Sequence, residues 1–179
     1  FTNETRNGIE DANNYSGVRF LAAVNGACVG YGLTAVVSCD FVVASDRATF
    51  SWPEVTIGIP TIVGAIRLPR KVAWADAMEL LLTGEAIDAQ KALDIGLAWR
   101  VVPHHDLMAE ARALADRLCR AAPLAARATK EVGVRTRNMG WTEAVRFGET
   151  MRRVAGATHD ATEGRTAWRQ KRSPEWEGR

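Results

Sequence analysis

The chain has 179 residues, 47% hydrophobic and 25% charged, an ordinary globular composition with enough apolar side chains for one core of usual domain size. Its 23 basic and 21 acidic side chains leave a formal net charge of +2, so no whole-molecule field argues for nucleic acid or a membrane surface as partner. The lysines are Lys71, Lys91, Lys130 and Lys171 and every other basic residue is arginine, which suits fixed-geometry anion contacts and equally follows genomic base composition.

Cys28, Cys39 and Cys119 are odd in number, widely spaced and set among apolar neighbours. They read as small buried thiols rather than a disulfide frame or a zinc site, and so imply a reducing, cytoplasmic setting. No leader pattern or bilayer-length apolar run is expected. The polar stretch "FTNETRNGIEDANNYSG" precedes any strand signal, and the chain opens on Phe rather than Met. The start of the protein is therefore expected elsewhere.

"VRFLAAV" (18–24) is short, apolar and bounded by turn residues, as a strand buried on both faces would be. "LTAVVSCD" reads as a short helix and "FVVAS" as a second buried strand, which together make a strand, helix, strand unit with a parallel sheet. "TFSWPE" is a brief extended segment stopped by Pro53, and Gly58 with Pro60 marks a loop. From residue 64 the period turns helical. "GAIRLPRKVAWADAMELLLTG" ends on the glycine stop Gly84, Asp88 caps the short helix "AQKALDIG", and "LAWRVVP" is a last strand. Beyond it the chain is helical, with one stripe through Leu107, Ala111, Leu114 and Leu118 and another through Trp141, Val145, Gly148 and Met151. The organisation expected is a mixed α/β core over 1–103 and a helical region over 104–179.

The stretch "AAVNGACVGYGLTAVVSCDF" (22–41) sets three glycines beside a buried strand, where the backbone turns tightly or something approaches it closely. Gly30-Tyr-Gly32-Leu-Thr-Ala35 fits the dinucleotide pattern G-x-G-x-x-A, but five residues separate Val24 from Gly30 and Asp46 comes too soon for the acidic partner. The other reading takes Gly30 to Gly32 as a helix entry whose backbone N–H groups face an anionic oxygen, with Tyr31 donating through its main chain and residue 34 one turn on.

At these residues the sequence resembles the crotonase, or enoyl-CoA hydratase/isomerase, superfamily. The motifs are "AAVNGACVGYGL...CDFVVAS", "ATFSWPEVTIGI", "LLTGEAIDAQKALDIGLAWRVVP", "APLAARATKE" and "KRSPEWEGR", in family order over residues 18–179, and the ending is similar to the carnitinyl-CoA dehydratase branch. The resemblance implies a ββα spiral, here partial, with C-terminal helices that build homotrimers, often paired into hexamers. It also implies an acyl-CoA thioester substrate, coenzyme A entering only as part of that substrate, and an enolate held between two backbone N–H groups. One donor maps onto Tyr31. The other belongs to an upstream loop in the N-terminal third of the usual fold, to which no residue here corresponds.

In hydratases of the family two glutamates activate one water. The second maps onto Glu54, whose carboxylate can move a proton at the carbons beside the thioester. The first falls at Thr34, whose hydroxyl can orient water but cannot act as a base near neutral pH. One carboxylate above an enolate suits a double-bond shift better than hydration. The resemblance places Ala27, Gly30, Gly32, Pro53 and Ile57 along the substrate, and "GIPTIVGAIRLP", where the family is more glycine-rich, makes Ile57, Ile59 and Ile62 either an acyl slot or plain core.

Bland readings accompany these. Glu54 taken alone is a solvated carboxylate after a proline, Thr34 a helix residue bonding back to a carbonyl, and Tyr31 a surface aromatic whose N–H starts a helix. His104 and His105 lack further ligands at metal spacing, so no metal is assigned. Arg165, Arg169, Lys171 and Arg172 form a solvated basic face or a contact to coenzyme A phosphates, with Trp168 and Trp176 packing the tail. Two other function classes remain open: a non-catalytic member of the fold used for assembly or RNA contact, and a nucleotide-dependent oxidoreductase.

Overall fold

The computed structural model describes residues 17–179, so the polar opening stretch lies, but for Gly17, outside the described residues. Contact clustering gives two compact units, Phe20–Ala115 and Asp116–Arg179 with the described residues up to Arg19.

In the first unit, strands β1 (Leu21–Val24), β2 (Ala27–Val29), β3 (Phe41–Ser45), β4 (Thr49–Ser51), β5 (Ile87–Asp88) and β6 (Arg100–Val102) form two sheets, ordered β1-β3-β6 and β2-β4-β5. The first four strands thus alternate between sheets, which is the winding of the expected spiral, and β5 then pairs antiparallel with β4 in the same sheet. The predicted parallel unit is present: β1 and β3 pair in parallel from Leu21 opposite Phe41 to Val24 opposite Ala44, with α1 (Tyr31–Val37) between them. Their "FVVAS" partner strand is buried from Val42 to Ser45, as a strand covered on both faces must be.

Three elements differ from the sequence expectation. The helical run after residue 64 is broken into α2 (Val63–Arg67), a 3-10 turn at Leu68–Arg70 and α3 (Trp74–Thr83). Pro69 has no N–H and its ring collides with the preceding turn, so the helix cannot run through it. The first strand begins at Leu21 rather than Val18, and "LAWRVVP" pairs only over Arg100–Val102. Two expected caps hold. Gly84 takes a left-handed φ of 70° after α3, and the Asp88 carboxylate accepts from the Lys91 N–H at 2.8 Å to open α4 (Ala89–Asp94).

The core of this unit gathers Leu33, Val37, Phe50, Trp52, Leu68, Leu80 and Leu97 among others. Phe50 and Trp52 are completely buried, each worth about 2–3 kcal/mol of apolar transfer. Gly64 is required by that packing, since a Cβ there would stand 2.8 Å from Trp52 Cε2. Helix α5 (Leu107–Cys119) contains the unit boundary and buries Leu107, Ala111 and Leu114 of its predicted stripe.

The second unit pairs α6 (Pro123–Arg135) with α7 (Trp141–Gly156), followed by α8 (His159–Gln170). Of the predicted α7 stripe, Gly148 and Met151 line a cleft of about 410 Å³ shared with Val132, whereas Trp141 and Val145 are exposed. The apolar stripe is longer than the face its partners cover. The chain's tail folds back on α8: buried Asp160 accepts from the N–H groups of Glu177 (2.8 Å) and Gly178 (3.0 Å). Arg172 forks onto Glu163, and Trp176 Nε1 donates to the Arg120 carbonyl at 2.8 Å. Trp176 therefore packs the tail, but Trp168 does not; it stands exposed beside Arg165 and Arg169.

The cysteines divide likewise. Cys28 is buried, Cys39 partly so, and Cys119 is exposed near the end of α5, against the expectation of three buried thiols. No helix among the described residues is long and apolar enough to cross a membrane.

Candidate functional site

The site is built where two parallel strands end together. Strands β2 and β4 pair in register, Ala27 opposite Thr49 and Val29 opposite Ser51, and the Gly30 N–H extends the ladder by donating to the Ser51 carbonyl at 2.9 Å. One residue later the chains diverge. Gly30 turns into α1, and Trp52 leads into a 3-10 turn over Pro53–Ile57 with proline at its first position. Register alone thus brings Gly30 to Glu54, residues 24 apart in sequence.

Of the three glycines beside the buried strand, Gly30 is the one that something approaches closely. Its φ is +57°, and a Cβ there would stand 2.5 Å from Glu54 Oε1 and 3.3 Å from Glu54 Cδ. Any side chain would occupy the space of the carboxylate. Added Cβ atoms at Gly26 and Gly32 meet nothing. Strand β2, which was missed, ends directly before Gly30 as a dinucleotide turn would require, but the side chain beside that turn is the Glu54 carboxylate, whose charge disfavours a second anion there.

Glu54 is half-buried, and its Oε2 is buried without a hydrogen-bond partner. Its own backbone is fixed: the Glu54 carbonyl accepts from the Ile59 N–H at 2.9 Å, Gly58 closes the turn in the left-handed region, and Thr56 Oγ1 donates to the Pro53 carbonyl at 2.7 Å. Gly84, at the end of α3, abuts the same turn. A Cβ at Gly84 would meet Thr56 Cγ2 at 2.9 Å, Val55 Cγ1 at 3.2 Å and the Pro53 Cα at 3.3 Å.

Thr34 is buried and its hydroxyl is engaged on both sides, donating to the Gly30 carbonyl at 3.3 Å and accepting from Trp52 Nε1 at 3.0 Å. The Thr34 N–H also donates to the Gly30 carbonyl, at 3.0 Å. Tyr31 is half-buried as the first residue of α1. Gly30, Tyr31, Thr34, Pro53 and Glu54 therefore form one cluster. Ala27 is exposed on β2, Gly32 is exposed in α1, and Ile57 is 72% exposed at the end of the 3-10 turn. Ile59 and Ile62 are exposed too, so of the two readings of these isoleucines plain core is excluded within the described residues.

Cys28 lies two residues before Gly30, but burial, reinforced by Cys39, pushes its thiol up to about 11. It stays protonated and a poor nucleophile near neutral pH. His104 is exposed, with Nδ1 at 3.1 Å from Ser45 Oγ, and no three His, Cys, Asp or Glu side chains among the described residues converge as a metal site. Sequence reasoning missed Trp52 and the abutment of Gly84. The first stood in the quoted "TFSWPE" with no sign of its partner, and the second was legible only as a helix stop.

Similarity to known proteins agrees with this geometry. The sequence profile of the family Enoyl-CoA hydratase/isomerase matches residues 12–179. Carnitinyl-CoA dehydratase of Salmonella arizonae is 39% identical over 163 residues, covering 88% of this chain and 62% of the relative, so the chain spans under two thirds of that protein's length. Among solved structures, an enoyl-CoA hydratase/isomerase from Mycobacterium paratuberculosis superposes with a TM-score of 0.87 at 36% identity, covering 91% of this chain and 65% of that one. An enoyl-CoA hydratase from Bacillus anthracis gives 0.91 at 28% identity, over 100% of this chain and 72% of that one. With the profile matched along nearly its whole length, the chain belongs to the enoyl-CoA hydratase/isomerase family.

Proposed function

We propose that the chain is part of an acyl-CoA enzyme in which the Tyr31 N–H stabilises a thioester enolate and Glu54 moves the proton. The observation that carries this reading is the Glu54 carboxylate pressed against the Gly30 turn, with one oxygen buried and making no hydrogen bond. Its lone pairs are not committed to the protein, and a substrate carbon entering beside the turn would be the nearest acid. Glu54 removes a proton from the carbon next to the thioester carbonyl. The electron pair delocalises onto the carbonyl oxygen, where the Tyr31 N–H meets the developing charge.

A single carboxylate favours isomerisation over hydration. The proton taken from one carbon of a 3-enoyl thioester can be returned two carbons along, which shifts the double bond and consumes no water. Thr34 cannot supply a second base, because its hydroxyl is already donated to Gly30 and occupied by Trp52. Coenzyme A takes part only as the carrier of the acyl group. The assembly is a homotrimer or a hexamer, the location is cytoplasmic, and neither nucleic acid nor membrane is a partner.

The test is an ultraviolet assay, on the complete protein with its upstream donor, of conjugated enoyl thioester formation from 3-enoyl-CoA and of its loss by hydration. Double-bond migration faster than hydration is expected, with Glu54→Gln abolishing it. Unchanged turnover in that variant removes Glu54 from the mechanism. RNA binding that weakens steeply with salt, without turnover, would favour the non-catalytic alternative.

A further inference from the structure

We infer that Thr34 and Trp52 are positioning residues that fix and polarise the Gly30–Tyr31 peptide, and so set the strength of the Tyr31 N–H as a donor to the thioester oxygen. The inference rests on the acyl-CoA reading above and assigns a role to a side chain, Trp52, otherwise accounted for by packing alone.

The carbonyl of Gly30 and the N–H of Tyr31 belong to the same trans peptide and point in opposite directions. Whatever holds that carbonyl therefore aims that N–H. The carbonyl accepts two hydrogen bonds, from the Thr34 N–H at 3.0 Å and from Thr34 Oγ1 at 3.3 Å. On its other side the Gly30 N–H is fixed to Ser51 at 2.9 Å. Glycine at φ +57° has shallow conformational preferences of its own. These bonds, rather than steric restriction, define the plane.

Trp52 decides which way the threonine proton points. A hydroxyl has one proton, and because Trp52 Nε1 donates into Thr34 Oγ1 at 3.0 Å, that proton is left for Gly30. Trp52 is completely buried, with Gly64 packed against its ring, so the indole cannot turn away. The result is a directed chain, indole N–H to hydroxyl to carbonyl, ending in an amide whose N–H is made a better donor by the load on its carbonyl. At residue 34 the chemistry that a carboxylate would bring by activating water is replaced by an indirect effect on the oxyanion.

The experiment uses the complete protein, upstream donor loop included, with an enoyl-CoA labelled with carbon-13 at the thioester carbonyl, following both steady-state rates and the infrared band of the bound carbonyl. Thr34→Val keeps the shape and removes the hydroxyl; Trp52→Phe keeps a ring and removes the N–H. Each is expected to lower kcat about tenfold with KM little changed, well short of the hundred- to thousandfold of deleting an oxyanion donor outright. Each should also move the carbonyl band back toward its position in free substrate, and Thr34→Ser should restore both. A Thr34→Val protein that keeps the wild-type band and kcat overturns the inference. So does a Trp52→Phe protein that binds substrate with the wild-type band, which keeps the question decidable should Thr34→Val not fold. Wild-type protein that bends the carbonyl band and turns over leaves the acyl-CoA reading standing whatever the variants do; wild-type protein that does neither overturns both.

Discussion

Replacing Gly30 by alanine separates the cost of a backbone from the cost of a misplaced carboxylate. The residue sits at φ +57° and ψ −120°, outside the left-handed helical region and open essentially to glycine alone, where an L side chain costs about 1–3 kcal/mol, a loss of roughly 2–12 °C in Tm for a chain of this size. The new Cβ would stand 2.5 Å from Glu54 Oε1, so the carboxylate must retreat by about 1 Å to reach ordinary contact. Because that oxygen is the far end of a flexible side chain, the retreat adds little to the stability loss. It matters for catalysis, where a displacement of about 1 Å costs on the order of a hundredfold. Gly30→Ala should thus melt only a few degrees early yet lose most of its double-bond migration in the ultraviolet assay, with KM less affected than kcat. Turnover within a few-fold of wild type, in a variant that melts as expected, would refute the claim that the contact between Gly30 and Glu54 sets the reaction geometry.

Other substitutions and conditions probe the same structure. Gly84→Ala meets the Pro53 Cα at 3.3 Å as well as two side chains, so the turn itself must move; a stability loss of about 1–3 kcal/mol in urea titration should accompany a fall in kcat, and wild-type kcat would show that α3 does not hold Glu54 in place. In the tail, the Arg172 fork and then the Glu175 N–H hold the Glu163 carboxyl down at about 2, against an ordinary 4.5. A pKa depressed in the folded state means stabilisation fully present above 4.5 and lost as pH falls toward about 2. The protection of the Glu175 amide, its exchange rate measured against the intrinsic rate at each pH, should therefore fall across that acid window, and Glu163→Gln should remove this change; protection that stays constant in the wild type would show the tail is held by other means.

What could be read from the sequence was local. Gly84 and Asp88 ended and began helices where expected because each acts on its own backbone. The break at Pro69 was equally local and was passed over when apolar residues continued beyond it. Strand β2 escaped because three residues carry no period. The site depended on something the chain does not spell out, the pairing of Val29 with Ser51. That register delivers Gly30 to Glu54 and Trp52 to Thr34, contacts across 24 and 18 positions. Family likeness supplied Glu54, since a half-buried carboxylate after a proline has the local signature of any surface acid. It supplied nothing for Trp52, whose bond to Thr34 joins two side chains 18 positions apart.

That bond also limits how this site could change. The indole beneath residue 34 is at once core filler and hydrogen-bond donor, so a side chain there with no acceptor would leave a buried N–H unpaired. Residues 34 and 52 are therefore coupled, and a change at either one alters the hydrogen bonding of the other.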